Sequence, residues 1–115
     1  MIAFLSIALF TTASTAVIAD AESMRIEYSN CLVEFTMVQL DAKIGTSAFK
    51  DAASAVCTAE REAMIAAMEK DELEFGSSES EATAYATEEA DGVLFAFTDS
   101  YAGYASSNTR PVKEE

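Results

Sequence analysis

The chain has no histidine, no tryptophan, one proline, four glycines, two cysteines and only seven lysines and arginines in 115 residues. Without histidine the commonest general base at neutral pH is missing, together with a frequent zinc ligand. Twenty acids against seven bases give a formal charge of −13. Such a chain repels nucleic acid and gains nothing from counterion release, and it is repelled by anionic lipid head groups as well. Proline occurs only at Pro111 and glycine only at positions 45, 76, 92 and 103, so long stretches carry no helix breaker. No run alternates apolar and polar residues between hairpin turns, which leaves β-structure without support. Gly-rich phosphate loops, nucleophile elbows and a CxxC pair are also missing.

What is present is apolar: 50% of the residues are hydrophobic. That is too many for a disordered chain, and the length suits one small domain with a modest core. The first stretch stands apart. "MIAFLSIALF" is an apolar run, small residues follow in "TTASTAVIADAES", and Ala19 and Ala21 have the small-x-small spacing a signal peptidase reads. We therefore expect a signal peptide over residues 1–21, cut after Ala21, and a periplasmic or secreted protein. No Lys or Arg precedes the apolar run, so cleavage after Ala19, or retention as an anchor, stays open. Thr11, Thr12, Ser14 and Thr15 interrupt the run before it reaches the roughly 20 apolar residues of a spanning helix. No stable membrane anchor is expected after cleavage.

Gly45 and Gly76 divide the rest into three segments of helical composition. From Ser23 to Ile44, the residues Met24, Tyr28, Cys31, Phe35, Val38 and Ala42 recur at helical spacing, with Gly45 as the stop. The second segment opens with Thr46 or Ser47 as N-cap, sets Ala53, Val56, Cys57, Met64, Ala67 and Met68 on one side, and fades through "EKDELEFG". The third begins at "SSESEA", where Ser78 and Glu81 have capping-box spacing, and buries Ala86, Ala90, Val93, Leu94, Phe97, Tyr101 and Tyr104. The expected fold is all-α, a three-helix bundle over 22–107, followed by a flexible acidic tail at 108–115.

In an antiparallel hairpin turning near Gly45, residues equally distant from the turn face each other. That pairs Cys31 with Cys57, Phe35 with Ala53, Tyr28 with Glu60, Met24 with Met64, and Glu27 with Arg61. Two cysteines on facing apolar stripes of an exported protein are most simply a disulfide, Cys31–Cys57, with two free core thiols as the alternative. Two cysteines are half a structural zinc site, and neither has a base to make it a catalytic thiol. We expect no metal and no cofactor. "YSNC" (28–31) on a first helix, "CTAER" (57–61) on a second and an acidic, aromatic third helix resemble small exported two-cysteine helical proteins of alphaproteobacteria, which have no assigned activity. The resemblance implies an extracytoplasmic helical domain and carries over no catalytic residue.

An enzyme would have to work with carboxylates, Tyr or Lys, and no constellation of them stands out. Glu88 and Glu89, being adjacent, point in different directions on a helix. Glu89 flanks the apolar stripe, where pairing with Arg25 or Arg61 is the plain reading. "EKDELE" lacks the alternating acids and central glycine of a calcium loop. Met24, Met37, Met64 and Met68 form no Met-x-x-Met cluster and read as core fillers. More informative is a second apolar set on the first helix, Ile26, Val33, Met37, Leu40 and Ile44, nearly opposite the first. A helix apolar on two faces must bury both. Either the third helix covers this set, or a partner does, a second copy of the chain included. Phe95, on the far side of the third helix from Phe97, could anchor the same contact. We expect no enzyme but a protein-interaction or structural module, the alternative being a small carrier of a hydrophobic ligand between its helices.

Overall fold

Asp20 opens the first helix. Its carboxylate accepts the backbone amide of Ser23 at 2.7 Å and caps α1, Ala21–Asp41. The computed structural model describes residues 20–115, and the expected signal peptide lies outside them except for its last two residues. Those two are Asp20 and Ala21, the cap and first residue of α1. Three further helices follow, α2 (Thr46–Ala53), α3 (Thr58–Glu74) and α4 (Glu79–Ser107), with no strand among the described residues.

The all-helical expectation therefore holds, but the three-helix bundle does not: the second helix is split in two. Between α2 and α3 the chain turns through residues 54–57, and Cys57 takes the left-handed conformation with φ 59°. "ASAVC" contains no glycine, proline or asparagine to announce this. A left-handed non-glycine residue costs roughly 1–2 kcal/mol, so packing and the Cys31–Cys57 bridge must offset it. The break lets α2 fold onto α4 while α3 continues along both α1 and α4. The stop after α1 also differs from expectation. Lys43, not Gly45, is left-handed (φ 55°), its amide donating to Leu40 and that of Ile44 to Gln39 in the Schellman pattern. Gly45 instead becomes the N-cap of α2. At the other two junctions the sequence signals act as expected, with Gly76 left-handed after α3 and the Ser78–Glu81 capping box starting α4.

The core has two parts. One is built on Tyr28, Leu32, Cys57, Met64 and Ala90, with Met24, Cys31, Val93, Leu94 and Phe97 packed around it. The other joins Phe49, Ala53 and Tyr101 to Phe35, Leu40 and Ile44. On α1 the fully buried residues are Tyr28 of the first expected stripe, Val33 of the second, and Leu32 and Thr36 between them. The stripes are thus the edges of one broad arc, and α3, α4 and α2 each cover part of it. Val38, expected inside, is 61% exposed.

The last eight residues, expected as a flexible tail, instead run back along α1. Arg110 pairs with Asp41 and Lys113 with Glu34. The Glu114 amide donates to Asn30 Oδ1 at 2.8 Å, Asn30 Nδ2 donates back to the Glu114 carbonyl at 2.9 Å, and Arg25 donates to the Glu114 carboxylate at 2.9 Å. Hydrogen bonds from Arg25 and then Ser29 hold the Glu114 carboxyl below its ordinary value. Pro111, within this strap, is buried. The composition of the tail reads as disorder, but its two positive charges and then a negative one meet a helix edge that offers the complementary series Asp41, Glu34, Arg25.

Candidate functional site

The face of α1 assigned to a partner is mostly occupied by the protein itself. Val33 is 1% exposed, and Leu40 and Ile44 pack against the Phe49–Tyr101 cluster. Ile26 and Met37 are half-buried. As a free contact surface this set is corrected: the covering elements are intramolecular, as the first of the two expectations had it. Thr36 and Ser29, buried at the centre of the arc, are polar. They hid its continuity from a reading of apolar spacing alone.

Phe95 has a different fate. It is 64% exposed on the outer side of α4, and Tyr85, ten residues earlier on the same side, is 43% exposed. Between them the helical spacing places Glu88 and Gly92, both exposed, and a Cβ added at Gly92 would meet nothing within 4 Å. Asp91 and Asp99 stand beside this strip and are exposed too. The face is therefore an aromatic pair in an acidic surround, built on a helix whose other side is fixed in the core by Ala82, Ala86, Ala90 and Tyr101. Asp91 is tied down by Arg61 at 2.5 Å. Burial works against the Arg61 charge, but hydrogen bonds to Asp91 and the Tyr28 hydroxyl outweigh it and raise its pKa. Arg61 thus turns to α4 rather than to Glu27 as the hairpin register suggested. Glu89 is exposed and takes no arginine: Arg25 is engaged by Glu22 and Glu114.

The clefts are shallow or small. A notch of about 280 Å³ lies where the C-terminal ends of α1 and α4 meet, lined by Leu40, Lys43, Ile44, Tyr101, Tyr104 and Arg110. That is at the lower limit of small-molecule sites. Inside, Phe49 and Tyr101 stack with centroids 3.9 Å apart, and the Tyr101 hydroxyl donates to the Ile44 carbonyl at 2.6 Å. These groups fill the space between the helices that a carrier would need. Burial raises the Tyr101 pKa.

Cys31 and Cys57 form the expected disulfide, with Cα atoms 6.0 Å apart. It borders a surface depression of about 320 Å³ lined by Glu27, Asn30, Cys31, Glu34 and Glu60. Glu60 follows Cys57 by three residues, a helical neighbour whose role the sequence reading passed over. That reading also missed Phe75, 90% exposed at the turn between α3 and α4, because its acidic neighbours marked the segment as a solvated helix end. No helix among the described residues is long and apolar enough to cross a membrane. Comparison of the chain with protein-family models, with curated proteins and with solved structures found no match.

Proposed function

We infer that the protein is an exported interaction module, a rigid helical scaffold that presents the Tyr85–Phe95 side of α4 to a protein partner and performs no catalysis. The observation that carries this reading is Phe95, a large aromatic left 64% exposed on the outer side of α4 near an open glycine, Gly92. An exposed aromatic in a shallow surround is the kind of side chain that anchors protein contacts. Glu88, Asp91 and Asp99 around it, on a chain of formal charge −13, favour a partner that offers lysine or arginine next to an apolar pocket. They disfavour a second copy of the chain, which would bring like charges together. The extracytoplasmic setting rests on the disulfide and on the apolar, small-residue N-terminal stretch. The carrier is the weaker reading, because Phe49 and Tyr101 fill the interior.

The test is a photocrosslinking residue placed at position 95 in the cell that makes the protein. One discrete adduct with a basic partner is expected, and Glu88→Lys should abolish it. The same substitution should change the unfolding free energy by no more than about 0.5 kcal/mol, as for exposed sites in general. No adduct at 95, or an adduct only with another copy of the chain, would overturn the assignment.

A further inference from the structure

We propose that the Cys31–Cys57 bridge is also the oxidised form of a metal site: when the disulfide is reduced, Cys31, Cys57 and Glu60 together bind one zinc ion. The donor atoms of the three residues lie within 4.8 Å of one another. The sequence supplied only two ligands, half a structural site, and the fold adds the third by starting α3 at Thr58, immediately after Cys57. Two thiolates on a tetrahedral zinc at roughly 2.3 Å each stand a little under 4 Å apart. The two sulfurs are bonded to each other in the oxidised protein and must part to that separation once the bridge is reduced. The fourth position opens onto the depression lined by Glu27 and Glu34 and is left to water.

The electrostatics point the same way. Glu27, Glu34 and Glu60 gather around the sulfurs, and Lys113 partners only Glu34. Reduction by a dithiol protein proceeds by two thiol–disulfide exchanges. The bridge breaks, the reductant's two sulfurs join, and its two protons end on Cys31 and Cys57. Bare thiolates beside three carboxylates would be strongly disfavoured. A divalent cation removes that repulsion, displacing both thiol protons into solution as it binds. Copper(I) or calcium fits less well, since the set mixes two soft sulfurs with a hard carboxylate. This inference is independent of the α4 contact. It describes what the staple becomes in a reducing setting.

The experiment uses the full exported chain, reduced with a water-soluble phosphine that is then removed under argon, and titrated with zinc against a chromophoric chelator. One zinc per reduced chain is expected and none for the oxidised chain, and cobalt in place of zinc should give a thiolate charge-transfer band. Glu60→Gln should weaken zinc binding at least about tenfold, a loss typical of removing a group that supports a metal site. Glu60→Asp, which keeps the charge but withdraws it, should fall between the two and serves alone if oxidised Glu60→Gln loses helicity. Equal affinity in the parent and both Glu60 variants would overturn the proposal, because the zinc would then be held by the thiols of an opened chain. A cobalt complex without the thiolate band would overturn it as well.

Discussion

Replacing Phe49 by alanine is expected to destabilise the protein by about 3–5 kcal/mol, the usual cost of deleting a fully buried phenylalanine. Phe49 is 0% exposed, its ring lies 3.9 Å from that of Tyr101 at an interplanar angle of 8°, and Phe35 stacks on it at 5.8 Å. Only Phe49 and Ala53 are buried on α2, so this one side chain holds most of the helix to the rest of the molecule. Its removal leaves a cavity between α1, α2 and α4 and exposes the hydrogen bond from Tyr101 to the Ile44 carbonyl. Urea denaturation followed by circular dichroism reads the loss. A change under about 1 kcal/mol would mean that α2 is not packed as described.

Removing the disulfide should cost a similar amount. The bridge closes a loop of sequence separation 26, for which the chain-entropy estimate is about 3.5 kcal/mol. A domain of this size has about 5–15 kcal/mol in all, so the loss takes a large fraction of it. Cys57 adds to the effect, since the bridge helps to hold its backbone in the left-handed region from which α3 starts. The double variant Cys31→Ser, Cys57→Ser should therefore unfold at markedly lower denaturant than the parent. Addition of a phosphine reductant to the parent, without metal, should reproduce the shift. An unchanged midpoint in both would show that the helices hold together without the staple.

The parts of this fold that were legible in the sequence are those with a local cause. Ser78 and Glu81 start α4 because a hydroxyl and a carboxylate three residues apart satisfy each other's backbone amides. Gly76 ends α3 because a left-handed residue is needed there. The cysteine pair followed from register, since Cys31 and Cys57 lie equally far from the turn near Gly45. What escaped reading has tertiary causes. The break at residues 54–57 occurs in a stretch without glycine or proline, where packing of α2 on α4 decides what the local sequence does not announce. Lys43 takes the left-handed role that Gly45 seemed made for. Thr36, fully buried, interrupts the apolar arc of α1 and split it on paper into two faces. The tail looked solvated because its partners, Asp41, Glu34, Asn30 and Arg25, lie far away in sequence.

Of the candidate contact residues, Phe95 was legible as the odd aromatic on an otherwise consistent helix. The burial of Leu40 and Ile44 was not, because their covering comes from Tyr101 of α4 and Phe49 of the separately folded α2. Glu60 shares with Glu27 and Glu34 a place one helical turn from a cysteine, so spacing alone did not single it out.

The N-terminus ties the fold to the proposed export. Asp20 caps α1, and a chain cut after Ala21 would lose that cap and place a positive amino group at a helix N-terminus, at a cost of about 1 kcal/mol for the cap alone. Cleavage after Ala19 keeps the cap. The most direct measurement is thus the intact mass of the protein recovered from outside the cytoplasm of its own cell, before and after reduction. The account predicts a chain that begins at Asp20 and gains the mass of a pair of hydrogens on reduction. A chain that still begins at Met1, or one that takes up no hydrogen because both cysteines were already free, would contradict it.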